Sequence, residues 1–203
     1  MAFEVYTSNA FVLGDKMNTI KLAMFDLDGT LFDTSMSNFY SYYDAVRSLC
    51  GHEIDKGFFL TKCYSRNYRS FLPDLGVGES DIKAVHDLKI KLYSSYLDTI
   101  KVNEKLIYIA KLLRNEGCKL AIVTTGSKVN TEEILSHFGY DDLFDLLVTQ
   151  ETVNTAKPAP DGYIYAMEYF GADADECMIF EDSDVGVASA LPCKTGVMRI
   201  LSF

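Results

Sequence analysis

Short apolar runs alternate with stretches of helical period along most of this chain. Leu22-Ala23-Met24, Lys119-Leu120-Ala121-Ile122-Val123-Thr124, Leu146-Leu147-Val148, Met178-Ile179-Phe180 and Gly196-Val197-Met198-Arg199-Ile200-Leu201 read as buried strands. Between them, apolar residues recur at helical spacing. Asn103 caps a helix carrying Leu106, Ile109, Ala110 and Leu113 that stops at Gly117; others run from about Glu132 to Phe138, through Tyr163, Ile164, Met167 and Phe170, and from Val185 to Ala190. Alternating strands and helices predict an α/β, Rossmann-like fold: a parallel sheet covered on both faces. Ligands bind such sheets at the carboxyl ends of the strands.

Residues 34–102 break the alternation. Phe39, Tyr42, Tyr43, Val46, Leu49 and Cys50 fall on one helical stripe, with Thr34 or Ser35 as N-cap and Gly51 as the stop. A second helix is expected between Lys56 and Tyr68, and Pro73, Gly76 and Gly78 punctuate a loop. Ile82, Val85, Leu88, Leu92, Tyr93, Tyr96, Leu97 and Ile100 then mark a long amphipathic helix. The segment reads as an all-helical insertion into the α/β core of 21–33 and 103–203. Residues 1–20 form an N-terminal extension. Its weak alternation, in Phe3-Glu4-Val5-Tyr6 and Phe11-Val12-Leu13-Gly14, suits a strand, a hairpin or a loose arm.

Composition narrows the function. Of 203 residues, 48% are hydrophobic, enough for a buried core, yet no stretch is long and apolar enough to span a membrane. The start lacks the basic and apolar regions of a signal peptide. Five cysteines with no Cys-x-x-Cys pair point to reduced thiols and a cytoplasmic location. The net charge of −10 argues against a nucleic-acid partner. Residues 34–102 hold nine Lys/Arg against eight Asp/Glu, whereas the rest holds ten against twenty-one. The insertion is therefore near neutral and the core strongly acidic.

Four features fall at predicted strand ends. In Phe25-Asp26-Leu27-Asp28-Gly29-Thr30, strand alternation starts Asp26 and Asp28 on one side, and Gly29 lets the chain turn away. Two carboxylates there are costly to desolvate, and a hard cation such as Mg2+ relieves the cost. Thr124-Thr125-Gly126-Ser127 offers hydroxyl and N–H groups to phosphate oxygens, or makes an ordinary turn. Lys157-Pro158-Ala159-Pro160-Asp161 places a fixed lysine that either neutralises a phosphate or stays solvated ahead of a helix. Glu181-Asp182-Ser183 adds two carboxylates to a cation site, or supplies an Asp N-cap.

In this order the four resemble the motifs of the haloacid dehalogenase superfamily of phosphotransferases. Asp26-Leu27-Asp28-Gly29-Thr30 matches the first motif, Thr124 the second, Lys157-Pro158 the third and Glu181-Asp182-Ser183 with Gly186 the fourth. A helical insertion between the first two looks like the cap of the branch containing phosphoglycolate phosphatases and β-phosphoglucomutases. Asn103, where related chains often have Pro, and the N-terminal extension depart from the pattern. The resemblance implies a Mg2+-dependent phosphatase acting on a small phosphorylated metabolite. Asp26 would be the nucleophile and Asp28 the general acid/base. Thr124, Thr125 and Lys157 would bind phosphate, and Asp26, Asp28, Asp182 and Glu181, direct or through a neighbour, would hold the metal. The alternatives are a phosphomutase and a catalytically silent binding protein on the same scaffold. β-Phosphoglucomutases carry a His twelve residues after the nucleophile, where this chain has Asn38, which favours hydrolysis. His52, His86 and His137 read as surface or core residues.

The insertion also carries candidate substrate readers. Lys62, Arg66 and Arg69, spaced by four and three, would share one face of the second helix. There they either grip the remote end of a substrate or solvate the outer face.

Overall fold

The computed structural model describes residues 2–7, 20–64 and 66–202. Its strands are β1 (Ala2–Thr7), β2 (Leu22–Phe25), β3 (Phe32–Asp33), β4 (Lys101–Val102), β5 (Lys119–Val123), β6 (Leu146–Val148), β7 (Cys177–Glu181) and β8 (Gly196–Ser202). The main sheet has the order β1-β8-β7-β2-β5-β6, parallel except for β1. Phe3-Glu4-Val5-Tyr6 thus resolves as an antiparallel edge strand on β8. Phe11-Val12-Leu13-Gly14 lies outside the described residues.

β2 lies between β7 and β5, and all four of its residues are inaccessible. Helices cover both faces, so the strand is apolar throughout rather than alternating. Ala23 and Phe25 enter one core, where Phe25 stacks on Phe180 at 4.5 Å. Leu22 and Met24 enter the other, with Ala121, Tyr163, Ala166 and Ile179. Because Phe25 pairs with Phe180, the next residues out of the sheet, Asp26 and Glu181, emerge side by side.

The helices are α1 (Ser35–Cys50), α2 (Lys56–Phe58), α3 (Tyr68–Phe71), α4 (Ile82–Leu92), α5 (Glu104–Asn115), α6 (Lys128–His137), α7 (Asp161–Phe170) and α8 (Asp184–Ala190). Of these, α1, α3 and α4 gather, with the turn that begins at Phe59, around an apolar centre of their own built on Phe39, Tyr42, Phe59, Phe71, Leu72 and Val85. α1 stops where Gly51 takes φ 74°, as the sequence predicts. The chain leaves and re-enters the core through a two-stranded ladder in which Phe32 pairs with Val102 and Asp33 with Lys101. Asn103 caps α5 by accepting from the Leu106 N–H at 3.3 Å and ties the return crossing to the Thr30 carbonyl at 3.0 Å.

Two predicted helices are interrupted. Lys56–Tyr68 is not continuous: α2 passes into a π-helical turn, Phe59–Cys63, and the backbone turns extended at Tyr64. It restarts as α3 behind Asn67, whose side chain accepts from the Arg69 N–H at 3.0 Å. A side-chain acceptor that competes for backbone donors favours a new cap over continuation. The long helix to Ile100 tightens after α4 into a 3₁₀ helix, Tyr93–Thr99. All five cysteines are free, and no described helix is long and apolar enough to cross a membrane.

Candidate active site

Asp26 continues the β2 ladder, donating its N–H to the Phe180 carbonyl at 2.9 Å. It is 7% exposed. The Lys157 ammonium donates to Asp26 Oδ1 at 2.7 Å, to the Val123 carbonyl at 2.8 Å and to Glu181 Oε1. Glu181 is fully buried. Its Oε1 also accepts from the Tyr163 hydroxyl at 2.6 Å, and its Oε2 from the Asp182 N–H at 3.2 Å. Asp182 Oδ1 accepts from the Thr30 hydroxyl at 3.2 Å.

Two glycines make room for this cluster. Gly29 has φ 89°, and a Cβ there would overlap the Asp182 carboxylate. A Cβ on Gly186 would overlap the carboxylate of Glu181. The helix after β7 is capped by Ser183, which accepts from the Gly186 N–H at 3.0 Å; Asp182 is not the N-cap and stays free for the cluster.

One carboxylate oxygen from each of Asp26, Glu181 and Asp182 lies within 4.8 Å of the others. Burial pushes the Asp26 carboxyl well above its ordinary range, Glu181 pushes it further, and Lys157 only partly opposes them. Burial and then Glu181 push Asp182 up to about 6. Burial alone would lower the Lys157 ammonium, but Asp26 and Glu181 more than offset that and hold it above its usual value. One ammonium therefore does not balance the carboxylates. The hard-oxygen donor set fits a small divalent cation such as Mg2+.

Asp28 faces the same cleft as Asp26, with Thr125 and Lys157 beside them. The Thr34 hydroxyl donates to Asp28 Oδ1, the Asn38 amide approaches the same oxygen at 3.4 Å, and the Thr124 hydroxyl approaches Oδ2 at 3.4 Å. Thr34 precedes α1 but makes no capping bond; its oxygen is spent on Asp28 and on the Tyr64 hydroxyl at 3.0 Å. The Thr124 oxygen also accepts from the Gly126 N–H at 3.0 Å. All four strand-end features thus meet at one cleft.

Sequence reasoning missed Thr34, Tyr64 and Tyr163. The last sits on the apolar stripe of α7, where nothing separates it from core filler. It also missed Lys89, which is 8% exposed and lines the cleft wall with Asp28, Asn38 and Thr125. That residue had a signal: Ile82, Val85, Lys89 and Leu92 follow helical spacing, so a lysine interrupts the buried stripe. Lys62, Arg66 and Arg69 do not share one helical face, because the helix breaks between them. All three are exposed, and Arg66 lines the cleft with Asp26 and Asp28. The Arg66 guanidinium is engaged by Asp74 at 3.0 Å and by the Lys62 and Ser70 carbonyls. Arg69 lies 4.7 Å over the Tyr68 ring.

His86 also belongs to the cleft wall. Its ring stacks on Tyr68 at 3.6 Å and its Nδ1 meets the Tyr42 hydroxyl at 3.0 Å. Burial, then the Lys89 charge, lowers this imidazole from 6.5 to about 4. As pH falls, the unfolded chain takes up this proton first. The stability His86 contributes is therefore fully present above pH 6.5 and is lost as pH falls toward 4. A loss of about 3 kcal/mol at most is expected in urea melts across that window. His86→Gln should flatten the slope, and an unchanged slope would remove His86 as its source.

Residues 23–200 match the haloacid dehalogenase-like hydrolases, and the chain belongs to that family. Protein CbbY of Rhodobacter capsulatus is 28% identical over 184 residues, 84% of this chain and 81% of that protein. Fructose-1-phosphate phosphatase YqaB of Escherichia coli (strain K12) is 28% identical over 174 residues, 82% of this chain and 89% of that protein. The crystal structure of CbbY from Rhodobacter sphaeroides in complex with phosphate shares the fold, with a TM-score of 0.78 at 21% identity over 87% of this chain and 84% of that one. The chain is a hydrolase of the phosphatase type.

Proposed function

We propose that this chain is a Mg2+-dependent phosphatase that hydrolyses a small phosphorylated metabolite through an aspartyl-phosphate on Asp26. The observation that carries this reading is the state of Asp26. Its Oδ1 is held by Lys157, while its Oδ2 has no hydrogen-bond partner among the described residues, and the residue lines the cleft. A carboxylate oriented through one oxygen leaves the other to attack phosphorus. The bond from phosphorus to the ester oxygen breaks, and Asp28 gives that oxygen its proton. Asp28 then takes a proton from the water that attacks the acyl phosphate, and the Asp26 carboxylate is restored.

Thr124, Thr125 and Lys157 meet the charge on the phosphoryl oxygens. Asp26, Asp182 and the backbone carbonyl of Asp28 would hold Mg2+. Glu181, whose oxygens already accept from Lys157, Tyr163 and Asp182, acts by fixing those partners. When bound, Mg2+ neutralises the carboxylates and polarises the phosphoryl group. Residues 34–102 act as a cap over the core of 21–33 and 103–203. Asn38, hydrogen-bonded to Thr34 at 3.1 Å, brings no titratable group to the place where a mutase holds His, which favours hydrolysis over return transfer.

The test is phosphate release from p-nitrophenyl phosphate and a panel of phosphorylated sugars and short acids. Activity is expected with Mg2+, lost on chelation and regained on adding it back. Ca2+ should inhibit, since it prefers more ligands and looser geometry. Full activity in metal-free protein, or no release from any panel member, would overturn the proposal.

A further inference from the structure

The cleft runs from the carboxylate cluster to a wall formed by α4 and the turn before α3. Lys89 and His86 stand there, on the cap side of Asp28. A lysine this buried is normally paired. Lys89 makes no hydrogen bond or ion pair with any described residue. Its ammonium rests 4.2 Å over the Tyr93 ring and 5.4 Å over the Tyr42 ring. Aromatic faces offset part of the lost hydration of a cation, and they leave its N–H donors unused. His86 supplies an independent observation on the same wall. Its Nε2 is buried and has no partner among the described residues. Whichever tautomer the Tyr42 bond selects, that nitrogen is left over.

Unused donors on a buried cation and a leftover ring nitrogen on the same wall are costly to leave unpaired. A bound anion would accept from the Lys89 ammonium, and from His86 Nε2 as well in the tautomer whose Nδ1 accepts from the Tyr42 hydroxyl and whose hydrogen sits on Nε2. We propose that Lys89 and His86 bind a second anionic group on the substrate, remote from the phosphoryl group that reacts, so that the preferred substrates are phosphate monoesters carrying a carboxylate or a further phosphate. This deepens the phosphatase reading and rests on it. Burial lowers the Lys89 ammonium to about 8, with the charges of Asp28 and then Glu133 opposing. At neutral pH it is still mostly charged.

The test compares wild type with Lys89→Met on four probes at saturating Mg2+. 2-Phosphoglycolate carries a carboxylate, fructose 1,6-bisphosphate a second phosphate, glucose 6-phosphate a neutral remote end and p-nitrophenyl phosphate an apolar one. Wild type should favour at least one of the first two in kcat/KM. Lys89→Met should shrink that preference at least tenfold, mainly through KM, and Lys89→Arg should recover part of it. The two anionic probes separate a carboxylate from a phosphate as the second group. An unchanged preference in Lys89→Met, or a wild-type preference for the neutral probes, would overturn the proposal.

Binding to Asp26→Asn protein is read separately by calorimetry, since it needs no turnover. The favoured anionic probe should bind at least tenfold more weakly when Lys89→Met is added. If no probe is hydrolysed by wild type but this difference in binding persists, the phosphatase reading fails and the anion site stands. If hydrolysis proceeds and the difference is absent, the reverse holds. Met matches the stem of Lys and removes an unpaired buried charge, so the variant is expected to fold. Lys89→Gln, judged by the same ratios, serves if it does not.

Discussion

Asp26→Asn is expected to lower turnover by at least about three orders of magnitude while the metal-free protein becomes more stable, not less. The two effects have one cause. The carboxylate proposed to attack phosphorus is held, without a metal, among Glu181, Asp182 and Asp28, and its raised pKa reflects how poorly that surrounding tolerates its charge. A carboxyl whose folded pKa lies above its unfolded one binds its proton more tightly in the fold. Its ionisation therefore costs stability as pH rises through the ordinary carboxylate range toward neutrality. An amide of the same shape removes that cost and keeps an acceptor oxygen for Lys157. It is also a poor nucleophile. Chemical denaturation in chelator, with and without the substitution, reads the stability. Single-turnover phosphate release reads the chemistry. A well-folded Asp26→Asn protein with near-wild-type turnover would move the nucleophile elsewhere. A metal-free variant less stable than wild type would show that the Lys157 pair outweighs the repulsion. The difference should shrink or reverse in Mg2+, because the cation stabilises the wild-type cluster more.

The α/β core was legible because its physics is local. Buried parallel strands must be short apolar runs, and β2, β5, β6, β7 and β8 each announce themselves that way. The strand ends were legible for a related reason: Asp26 and Asp182 follow at once on the strands β2 and β7, where the core cannot use them, whereas Lys157 lies nine residues past β6, in the turn before α7, and is marked only by the prolines after it. The helical segment was less readable. Asn67 starts a new turn by capping it, and a stripe that fits a continuous helix fits two short ones just as well. Thr34 was named as a helix cap because Thr often is one; only the fold shows its hydroxyl turned to Asp28. Tyr163 and Glu181 meet across separate elements, a contact that no spacing within α7 encodes. Lys89 differs from these. A cation on an otherwise apolar stripe is visible in the sequence. It is outweighed there by the apolar residues around it. Of the clustered cations Lys62, Arg66 and Arg69, the fold brings Arg66 to the cleft beside Asp26 and Asp28.

The second large effect is expected from Lys157→Met. In the fold, Lys157 is the cation that lets Asp26 and Glu181 approach: its ammonium touches both and the Val123 carbonyl, with 8% of its side chain exposed. Met fills the stem volume, so packing is largely conserved and the lost charge dominates. Asp26 and Glu181 then face Asp182 within 4.8 Å with no ammonium between them. Breaking a buried pair by removing one partner typically costs about 3–5 kcal/mol, since the other charge stays behind. That loss is expected in urea melts run in chelator. It should be smaller in Mg2+, which supplies positive charge to the same carboxylates. Asp182 already sits at about 6, above its unfolded value. The metal-free variant should therefore be most stable in acid and lose stability as pH rises through that value, as expected for carboxyls raised in the fold. Turnover should fall by about 10²–10³, because the charge proposed to meet the phosphoryl group and the contact that orients Asp26 are lost together. Lys157→Arg should not rescue it: a planar fork cannot reproduce three contacts made from one compact nitrogen. A Lys157→Met protein as stable as wild type in chelator, with more than about a tenth of its turnover, would show that Lys157 neither holds the carboxylate cluster together nor meets the phosphate.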